Sequence, residues 1–593
     1  MKKHFFESAL EIDLNQDRKL TRRSQQIMGV RLLLFLAIIL SAAAAYDQKL
    51  PQFYAIPGAL FLMFLALLRF HTQTRELQLF LRSHMAVLSQ YMDRFNGKWH
   101  SSGTDGAGYL SEKQPQSLDL SIFGPDSIYQ YICAARTKRG RDRLAASLTP
   151  KPKDFSQARK RQQAVQELIK RPRLCTDLEA LAALLPDSHD TTELIHELEN
   201  EKLSQSHFLH RTAWILPALS FLSLFIAAFD RISWLVPGSL FALQLILAGL
   251  FAGKNAAALE PMGKLHHELR LYYYIFQRLE KSTFSSPYLN ELHQRLRRGS
   301  HAAHALHQLS LLSEYSRMRC NLVFAFLANT LVLWDFHCTA YFAGWKQDAA
   351  RHLRGWIDIW SEIEVLLSLA VIGHTRETCS FPELLDQKEP LLRAHGLSHL
   401  LIPEEQSVPN DTDAASETRI ITGSNMSGKT TYLRTLASSC VLAYAGAPVC
   451  AESMQLTRLY LFTSIRVTDD VTRGLSTFYA ELLRIKSMID FTKKQLPMFI
   501  CIDEIFKGTN SADRIIGARE AIRHLTGPGY ITMVSTHDFE LCELQSPNET
   551  PVVNYHFEEH YLDDKIQFDY KIKPGRCQTT NAKYLLKMAG IIE

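Results

Sequence analysis

The chain has 593 residues, which is too long for one compact domain, and 46% of them are hydrophobic against 21% charged. This balance is typical of folded domains and excludes extensive disorder. The formal net charge of +5 is too small to indicate a nucleic-acid-binding protein by itself. The ten cysteines are scattered without a CxxC pair, so neither a zinc site nor a disulfide framework is indicated.

Four almost uncharged apolar runs form two pairs, each divided by a short break: Leu32–Tyr46 with Phe53–Leu68, and Thr212–Phe229 with Ile232–Ala252. A membrane span needs about 20 apolar residues, so the second pair is long enough, while the first needs its neighbours or a thinner bilayer. Basic residues flank both pairs, whereas the breaks carry only Lys49 and Arg231. This asymmetry predicts two transmembrane hairpins that enter from the cytoplasm and return to it. Buried hairpins of a soluble core are the alternative.

The segments outside the hairpins are predicted to be mostly helical as far as residue 380. Thr72–Trp99 has the periodicity of a helix leaving the membrane, and helical patterns continue through Ser117–Leu185 and Ala256–Ala370. A further apolar run, Leu322–Trp334, is too short to span a bilayer and is predicted to be a buried core helix. Later, short β-branched strands alternate with helices, which is typical of an α/β domain, and Glu404–Glu417 is predicted to be a polar loop.

The sequence therefore predicts mostly helical N-terminal and core regions with two transmembrane hairpins, followed by a C-terminal α/β domain. The predicted units are residues 1–71 (cytoplasmic N-terminus and first hairpin), 72–211 (helical segment), 212–253 (second hairpin), 254–380 (helical core or lever) and 381–593 (α/β domain).

The strongest functional signal is a glycine-rich motif between a predicted strand, Arg419–Thr422, and a predicted helix, Thr431–Tyr444. Its spacing is GxxxxGK[ST], whose glycines let backbone N–H groups face a chain of phosphates. Lys429 would reach the β- and γ-phosphates, and the Thr430 hydroxyl would coordinate Mg²⁺. The motif predicts binding of ATP with Mg²⁺ by Gly423, Ser424, Asn425, Met426, Ser427, Gly428, Lys429, Thr430 and Thr431.

Two carboxylates and a histidine complete the predicted site. The apolar strand run Pro497–Ile502 ends in Asp503 and Glu504. Asp503 would hold Mg²⁺ together with Thr430, and Glu504 would activate the attacking water as a general base. A later apolar strand ends in His537, where a switch histidine is favoured over a structural one. The predicted catalytic residues are Glu504, His537 and Lys429.

Four sequence blocks together resemble the ATPase domain of MutS: Gly428–Arg434, Ser476–Phe478 with Glu481, Asp503–Thr509 and Ser535–His537. A weaker likeness to the MutS helical core lies upstream, so that the resemblance as a whole covers about Leu118–Ile592. The chain is similar to the membrane-spanning bacterial branch of MutS-related proteins. The resemblance implies a P-loop, ABC-type ATPase domain at 381–593. It also implies a homodimer in which Ser476, as the signature serine, contacts the γ-phosphate bound by the other subunit.

The sequence departs from that family in several respects. An N-terminal mismatch-reading domain, a DNA clamp and C-terminal dimerisation helices are not evident, and Ser407 occupies the place of an aromatic residue ahead of Asn410-Asp411. The adenine-stacking partner is therefore left open.

The leading hypothesis is a dimeric ATPase in the cytoplasmic membrane, with its ATPase domain in the cytoplasm. Its helical core would pass closure of the ATP sites to the transmembrane hairpins or to an unidentified protein partner. A membrane-tethered DNA repair ATPase is the first alternative, with Arg136–Arg141 and Arg295–Arg298 as its basic candidates. A transporter-like ATPase is the second, although the hairpins carry almost no charge.

Overall fold

A computed structural model of the chain describes residues 2–48, 55–101, 103–111, 114–150, 152, 154–186, 207–264, 266–298, 301–319, 321–466, 477–506, 511–544, 550–562 and 565–577. Among the predicted site residues, Ser476 lies outside the described residues.

The protein is mostly helical as far as residue 375, as predicted. The helices are α1 (Lys2–Gln48), α2 (Ala55–Phe95), α3 (Gln116–Asp119), α4 (Ile128–Ile132), α5 (Lys138–Ser147), α6 (Phe155–Ile169), α7 (Pro172–Ala183), α8 (His207–Ala228), α9 (Leu235–Lys264), α10 (His266–Lys281), α11 (Pro287–Arg297), α12 (Ala302–Met318), α13 (Leu322–Val332), α14 (Trp334–Trp345), α15 (Arg351–Thr375), α16 (Lys429–Ala445), α17 (Thr477–Thr492) and α18 (Ser511–His524). A π-helical turn, Lys346–Ala350, joins α14 to α15.

The C-terminal region contains two mixed sheets with helices between their strands, which confirms the predicted mixture of strands and helices there. The strands are β1 (Glu383–Leu384), β2 (Leu392–Leu397), β3 (Asn410–Ala414), β4 (Glu417–Thr422), β5 (Ser453–Leu456), β6 (Tyr460–Ser464), β7 (Met498–Asp503), β8 (Tyr530–Thr536), β9 (Val552–Leu562) and β10 (Lys565–Pro574).

The larger sheet has the order β10–β9–β4–β8–β7–β6 and is parallel except for the antiparallel β9–β10 pair. Every residue of β7 is buried, as expected for a central strand covered on both faces. The smaller sheet has the order β1–β5–β2–β3. Its strand β3 lies within Glu404–Glu417, so the prediction of a loop there is wrong in part. The polar sequence of β3 suits the edge of a sheet, where one side faces solvent.

The first predicted hairpin is formed by α1 and α2, which pack against each other and extend well beyond the apolar runs. The beginning of α1 is buried, because Phe6 stacks on Tyr91 of α2 with ring centroids 4.6 Å apart. The Phe6 ring also lies 6.2 Å from that of His374, near the end of α15. Lys2 Nζ donates a hydrogen bond of 2.5 Å to the carbonyl of Arg376. Helix α1 thus connects the first hairpin directly to the end of α15.

The second predicted hairpin is formed by α8 and α9. Within the described residues, four helices (α1, α2, α8 and α9) are long and apolar enough to cross a membrane. Large apolar side chains on all four are exposed, among them Leu40, Leu62, Leu222 and Leu250. The helices therefore carry the apolar outer surface that the two runs of each pair predicted.

The prediction that Leu322–Trp334 is a buried core helix is wrong. Most of the run forms α13, and the Leu322 side chain at its beginning is 84% exposed. Leu333 adopts a left-handed conformation with φ +51°, and the chain turns by 82° into α14. Apolar composition alone could not separate a helix packed in a core from a helix with an exposed apolar face.

Helix α15 is the buried axis of the helical region and leads into the C-terminal sheets. Its Glu364 is buried and accepts hydrogen bonds from the backbone N–H groups of Arg136 (2.8 Å) and Thr137 (2.9 Å) at the beginning of α5. Burial raises the pKa of the Glu364 carboxyl to about 7 against the opposing effect of these hydrogen bonds. The Glu364 carboxyl group thus links α15 to the beginning of α5.

Candidate active site

The candidate site lies where three parallel strands of the larger sheet end. Thr422 of β4 is paired with Thr536 of β8, and Ser535 of β8 is paired with Asp503 of β7. Parallel strands present their carboxyl ends at one edge of a sheet, so the segments that follow β4, β7 and β8 meet there. The glycine-rich motif, the two carboxylates and the histidine all belong to these segments.

The glycine-rich loop 423–428 connects β4 to α16 by a path that two of its glycines permit. Gly423 and Gly428 have φ angles of +152° and +108°. A Cβ atom at Gly423 would lie 2.9 Å from the Phe557 carbonyl oxygen and 2.9 Å from Ser427 Oγ. Only glycine fits this turn, which directs the loop around the N-terminus of α16. Met426 at the loop surface is 85% exposed.

The interior of the loop is suited to an anion. Lys429 is buried, and its Nζ donates hydrogen bonds of 2.8 Å to the carbonyls of Gly423 and Ser424. The hydroxyls of Ser424 and Ser427 are buried and have no hydrogen-bond partner among the described residues. A helix N-terminus adds free N–H groups and partial positive charge. An ammonium, buried hydroxyls and a helix end are the groups that phosphate oxygens require.

The predicted Mg²⁺ ligands lie next to each other. Asp503 ends β7, and its Oδ2 accepts a hydrogen bond of 2.8 Å from Thr430 Oγ1. Its Oδ1 accepts a second hydrogen bond from Ser535 Oγ. The carboxylate is therefore fixed beside the hydroxyl at the start of α16. One carboxylate and one hydroxyl, completed by phosphate oxygens and water, form a ligand set that suits Mg²⁺.

Glu504, His537 and Asn425 form a second group at the same edge. His537 Nε2 lies 3.2 Å from Glu504 Oε1 and 2.9 Å from Asn425 Oδ1. The ring nitrogen thus lies close to both the Glu504 carboxylate and the Asn425 amide. Glu504 has a left-handed backbone (φ +52°), and its N–H donates to the Ser535 carbonyl at 3.0 Å. The strained turn after Asp503 directs the Glu504 side chain toward the loop.

A cleft of about 490 Å³ opens in front of the loop. Eight predicted residues line it: Asn425, Met426, Ser427, Gly428, Lys429, Thr430, Thr431 and Glu504. The sequence did not identify several other lining residues, which include His399, Ile402, Val408, Phe557 and Tyr570. They come from widely separated segments, and none of them belongs to a recognisable local motif.

Two of these residues give the cleft accessible ring systems. Burial and the positive charges of Arg434 and Arg376 lower the pKa of His399 to about 4, so its imidazole is neutral at pH 7. Tyr570 is exposed, and a Cβ atom at Gly428 would lie 3.3 Å from its ring. Ser407 also lines the cleft but contributes only a hydroxyl.

Asn410 holds Tyr570 in place. Strand β10 has a register irregularity between Phe568 and Ile572, and Tyr570 within it has φ +52°. Asn410 Nδ2 donates to the Tyr570 carbonyl at 2.9 Å, while its Oδ1 accepts from the Ile572 N–H at 2.9 Å. The amide thus spans the bulge, which directs Tyr570 toward the cleft.

Helix α17 begins immediately after Ser476 and is tied to the segment that follows the two carboxylates. Glu481 is buried, and its Oε1 accepts a hydrogen bond of 2.7 Å from the Phe506 N–H. The rings of Phe478 and Phe506 lie 5.6 Å apart. The start of α17 is therefore coupled to the turn that carries Glu504.

Residues 419–593 match the family MutS domain V. The C-terminal part of the chain therefore has the sequence features of that domain, and the match begins in β4, directly ahead of the glycine-rich loop. The DNA mismatch repair protein MutS of Streptococcus pneumoniae serotype 19F (strain G54) is 34% identical over 236 residues. The DNA mismatch repair protein HexA of Streptococcus pneumoniae serotype 4 (strain TIGR4) is 34% identical over the same length.

These similarities cover only part of each protein. The matched segment spans 39% of this chain and 27% of each relative. The match to MutS domain V includes the glycine-rich loop, the two carboxylates and the histidine of the candidate site.

Proposed function

We propose that the chain is a MutS-related ATPase that binds ATP with Mg²⁺ at the edge of the larger sheet and hydrolyses it. The P-loop, ABC-type domain would occupy residues 381–593. The observation that carries the proposal is the meeting of two distant segments at one cleft, which Lys429 and Glu504 line while Asp503, next to Glu504, accepts from Thr430. Similarity to MutS domain V supports it.

Each residue has a distinct role in this proposal. Lys429 would exchange its loop carbonyls for phosphate oxygens, and the hydroxyls of Ser424 and Ser427 would donate to the same anion. Thr430 and Asp503 would hold Mg²⁺, which neutralises phosphate charge when bound. Glu504 would accept a proton from the attacking water. His537, whose Nε2 lies 3.2 Å from Glu504 Oε1, would orient that carboxylate. The nucleobase would stack on Tyr570, which supplies the aromatic surface that Ser407 lacks.

The test separates binding from hydrolysis. Glu504→Gln should bind ATP with normal affinity and hydrolyse it roughly 10² to 10⁴-fold more slowly, because the general base is lost. Lys429→Ala should weaken ATP binding itself. Glu520→Gln is the matched control, since Glu520 is an exposed residue of α18 paired with Arg523. Binding of a fluorescent ATP analogue and release of phosphate are measured. Wild-type hydrolysis by Glu504→Gln would contradict the assignment.

The proposed ATPase acts as a homodimer with shared sites. Several large apolar side chains beside the candidate site are exposed: Met426 on the loop, Tyr479, Leu482 and Leu483 on α17, and Ile516 on α18. Exposed large apolar side chains on the elements that adjoin a site are typical of a surface covered by another protein. The resemblance to MutS favours a second copy of the chain as that protein, with Ser476 completing the partner's site.

Mixed dimers test this arrangement. A Ser476→Arg chain and a Lys429→Ala chain should each be inactive alone. In the mixed dimer, one site combines both changes while the other has an intact Lys429 and an intact Ser476, so partial hydrolysis should return. Wild-type chains mixed with each variant provide the reference. No recovery in verified mixed dimers would mean that Ser476 does not act across the interface.

The proposal also places the chain in the cytoplasmic membrane, with both hairpins entering from the inside. Four long apolar helices with exposed outer faces and basic flanks support it. A cysteine at Asp230, in the turn between α8 and α9, should react with an impermeant thiol reagent added to intact cells. A cysteine at the exposed Asp126 should react only after the cells are opened. The unsubstituted chain gives the background of native cysteines, and labelling at Asp126 from outside would overturn the topology.

DNA binding is the second candidate, because the relatives are named DNA mismatch repair proteins. The basic run at the beginning of α5 gives it little support, since Arg136 bonds Gln90 and Arg139 pairs with Asp358. A titration of duplex DNA against salt distinguishes the two functions. A steep loss of affinity with salt would indicate several phosphate contacts. Binding that is absent at low salt would exclude this candidate.

A further inference from the structure

Helix α13 is a short apolar helix that lies beside the second hairpin. It packs against α9 and, less extensively, against α8. Its Leu322, Val323, Phe326 and Leu327 side chains are exposed. They extend the exposed apolar surface of the two hairpin helices.

The residues immediately before and after α13 lie close to each other. Arg319, before α13, lies 3.7 Å from the Asp335 carboxylate, after α13. The same guanidinium donates to the Asn255 carbonyl of α9 at 3.3 Å. The Phe336 ring of α14 lies 5.5 Å from that of Phe251, so the chain runs back along α9. A segment whose two ends share one contact with α9 is a re-entrant loop rather than a span.

The far end of α13 lies deeper along α9, at Gln244. Gln244 is buried, and the amide orientation that satisfies both of its polar atoms accepts from Ser220 Oγ at 2.5 Å. Its nitrogen then donates to the carbonyls of Thr330 (3.1 Å) and Leu331 (3.3 Å), in the last turn of α13. The last carbonyls of a helix have no partner within it, and an unpaired carbonyl in hydrocarbon costs several kcal/mol. Gln244 supplies the donor that such a helix end needs inside a membrane.

The dimensions agree with insertion into one leaflet. At about 1.5 Å per residue, the eleven residues of α13 extend about 16 Å, and Asn255 and Gln244 are separated by a similar distance along α9. Half of a hydrocarbon core of about 30 Å is about 15 Å. Helix α13 therefore has the length of a single leaflet.

We propose that α13 is a re-entrant helix inserted into the cytoplasmic leaflet of the bilayer, where Leu322, Val323 and Phe326 contact lipid acyl chains. This inference rests on the proposed membrane location of the second hairpin. Helix α14 leaves the membrane and continues through the π-helical turn into α15, which ends at the C-terminal domain. The lipid contact therefore lies at the beginning of the path through α14 and α15, and the domain with the ATP site lies at its end.

Photocrosslinking from three positions tests the inference. Benzoylphenylalanine replaces Phe326 in α13, Phe225 on the exposed face of α8, or Arg295 on the exposed face of α11 in full-length protein in phospholipid vesicles. Excited benzophenone inserts into nearby C–H bonds, so a neighbouring acyl chain adds the mass of one phospholipid. We expect this adduct at positions 326 and 225 and not at 295. An unchanged elution volume in detergent verifies that each variant folds.

The outcomes separate this inference from the proposal on which it rests. A lipid adduct at 225 without one at 326 would overturn the re-entrant helix and leave the membrane location intact. Lipid adducts at neither position would overturn the membrane location itself. A covalent dimer formed from position 326, in place of a lipid adduct, would identify a second copy of the chain as the occupant and overturn the lipid assignment.

Discussion

Asp119 of α3 and Arg484 of α17 form a buried contact between the helical region and the candidate ATPase domain. Arg484 Nη1 lies 3.2 Å from each carboxylate oxygen of Asp119, whose side chain is fully buried. Asp119 Oδ2 also accepts from Thr463 Oγ1 at 2.6 Å and Oδ1 from the Arg466 N–H at 3.0 Å. One carboxylate therefore holds the end of β6 and the middle of α17, the two elements that flank Ser476.

Replacing Asp119 should impair hydrolysis more than nucleotide binding. Asp119→Asn removes the charge that pairs with Arg484 and leaves a partly buried cation without this partner. The segment that carries Ser476 then loses its anchor, while Lys429 and Thr430 keep their positions. We expect the hydrolysis rate to fall at least about 10-fold, which corresponds to about 1.4 kcal/mol, with an ATP affinity close to that of the wild type.

The control is Asp142→Asn, the same chemical change at an exposed aspartate that accepts from the Tyr109 hydroxyl. Circular dichroism verifies the fold of both variants. A parallel loss of ATP affinity in Asp119→Asn would show that the contact supports the whole domain and not only the segment that carries Ser476.

Tyr570 should determine affinity for the nucleobase. Base–aromatic stacking contributes about 1–3 kcal/mol, so Tyr570→Ala should raise the KM for ATP about 10-fold with little change in kcat. Tyr570→Phe keeps the ring and should behave as the wild type. Inorganic tripolyphosphate lacks a base, and its inhibition constant should be the same for all three proteins. A changed constant for tripolyphosphate would mean that Tyr570 acts through the glycine-rich loop.

The close packing of α5 against Glu364 of α15 requires glycine at position 140. A Cβ atom there would lie 2.7 Å from Cδ of Glu364 and closer still to its Oε2. Gly140→Ala must displace the carboxyl that binds the beginning of α5, with an expected loss of about 2–4 kcal/mol of stability. Gly355→Ala in α15 is the control, because a Cβ atom there meets no atom within 4 Å. Thermal unfolding compares the two. Equal midpoints would contradict the crowding at Gly140.

His374, which lies against Phe6 of α1, should make the stability of the fold sensitive to acid. Burial, aided by the positive charges of Lys2 and Arg94, lowers the pKa of His374 to about 4, against about 6.5 in an unfolded chain. The folded state binds fewer protons between these values, so stability falls as the pH decreases through that interval. The loss between pH 7 and pH 5 is about 2 kcal/mol. The Tyr91 ring also lies near His374, with centroids 5.9 Å apart.

The measurement compares His374→Gln, which removes this titration, with His304→Gln at an exposed position of α12. Unfolding is followed at pH 7 and pH 5 for both variants and the wild type. The fall in stability should be smaller for His374→Gln alone. An identical fall in all three proteins would assign the acid sensitivity to other groups.

The sequence predicted the parts of the site that lie within continuous segments. A strand, a glycine-rich loop and a helix follow one another, so local spacing locates Lys429 and Thr430 without knowledge of the fold. The hydrogen bond from Asn410 to Tyr570 joins residues 160 positions apart in the sequence, and the contact between Asp119 and Arg484 joins residues 365 positions apart. Neither pair leaves a periodic pattern. Exposure of α13 was also unpredictable, because exposed and buried apolar helices have the same composition.

The burial of Phe6 between Tyr91 and His374 has a consequence for biosynthesis. The ribosome makes the beginning of α1 first and reaches His374 only after 368 further residues. At about 5–20 residues per second, this interval is roughly 20–70 s. During that time α1 and α2 can already pack together, while Phe6 lacks the His374 ring as a neighbour. The packing around Phe6 is therefore complete only after α15 has been made, so contact with His374 marks completion of the helical region.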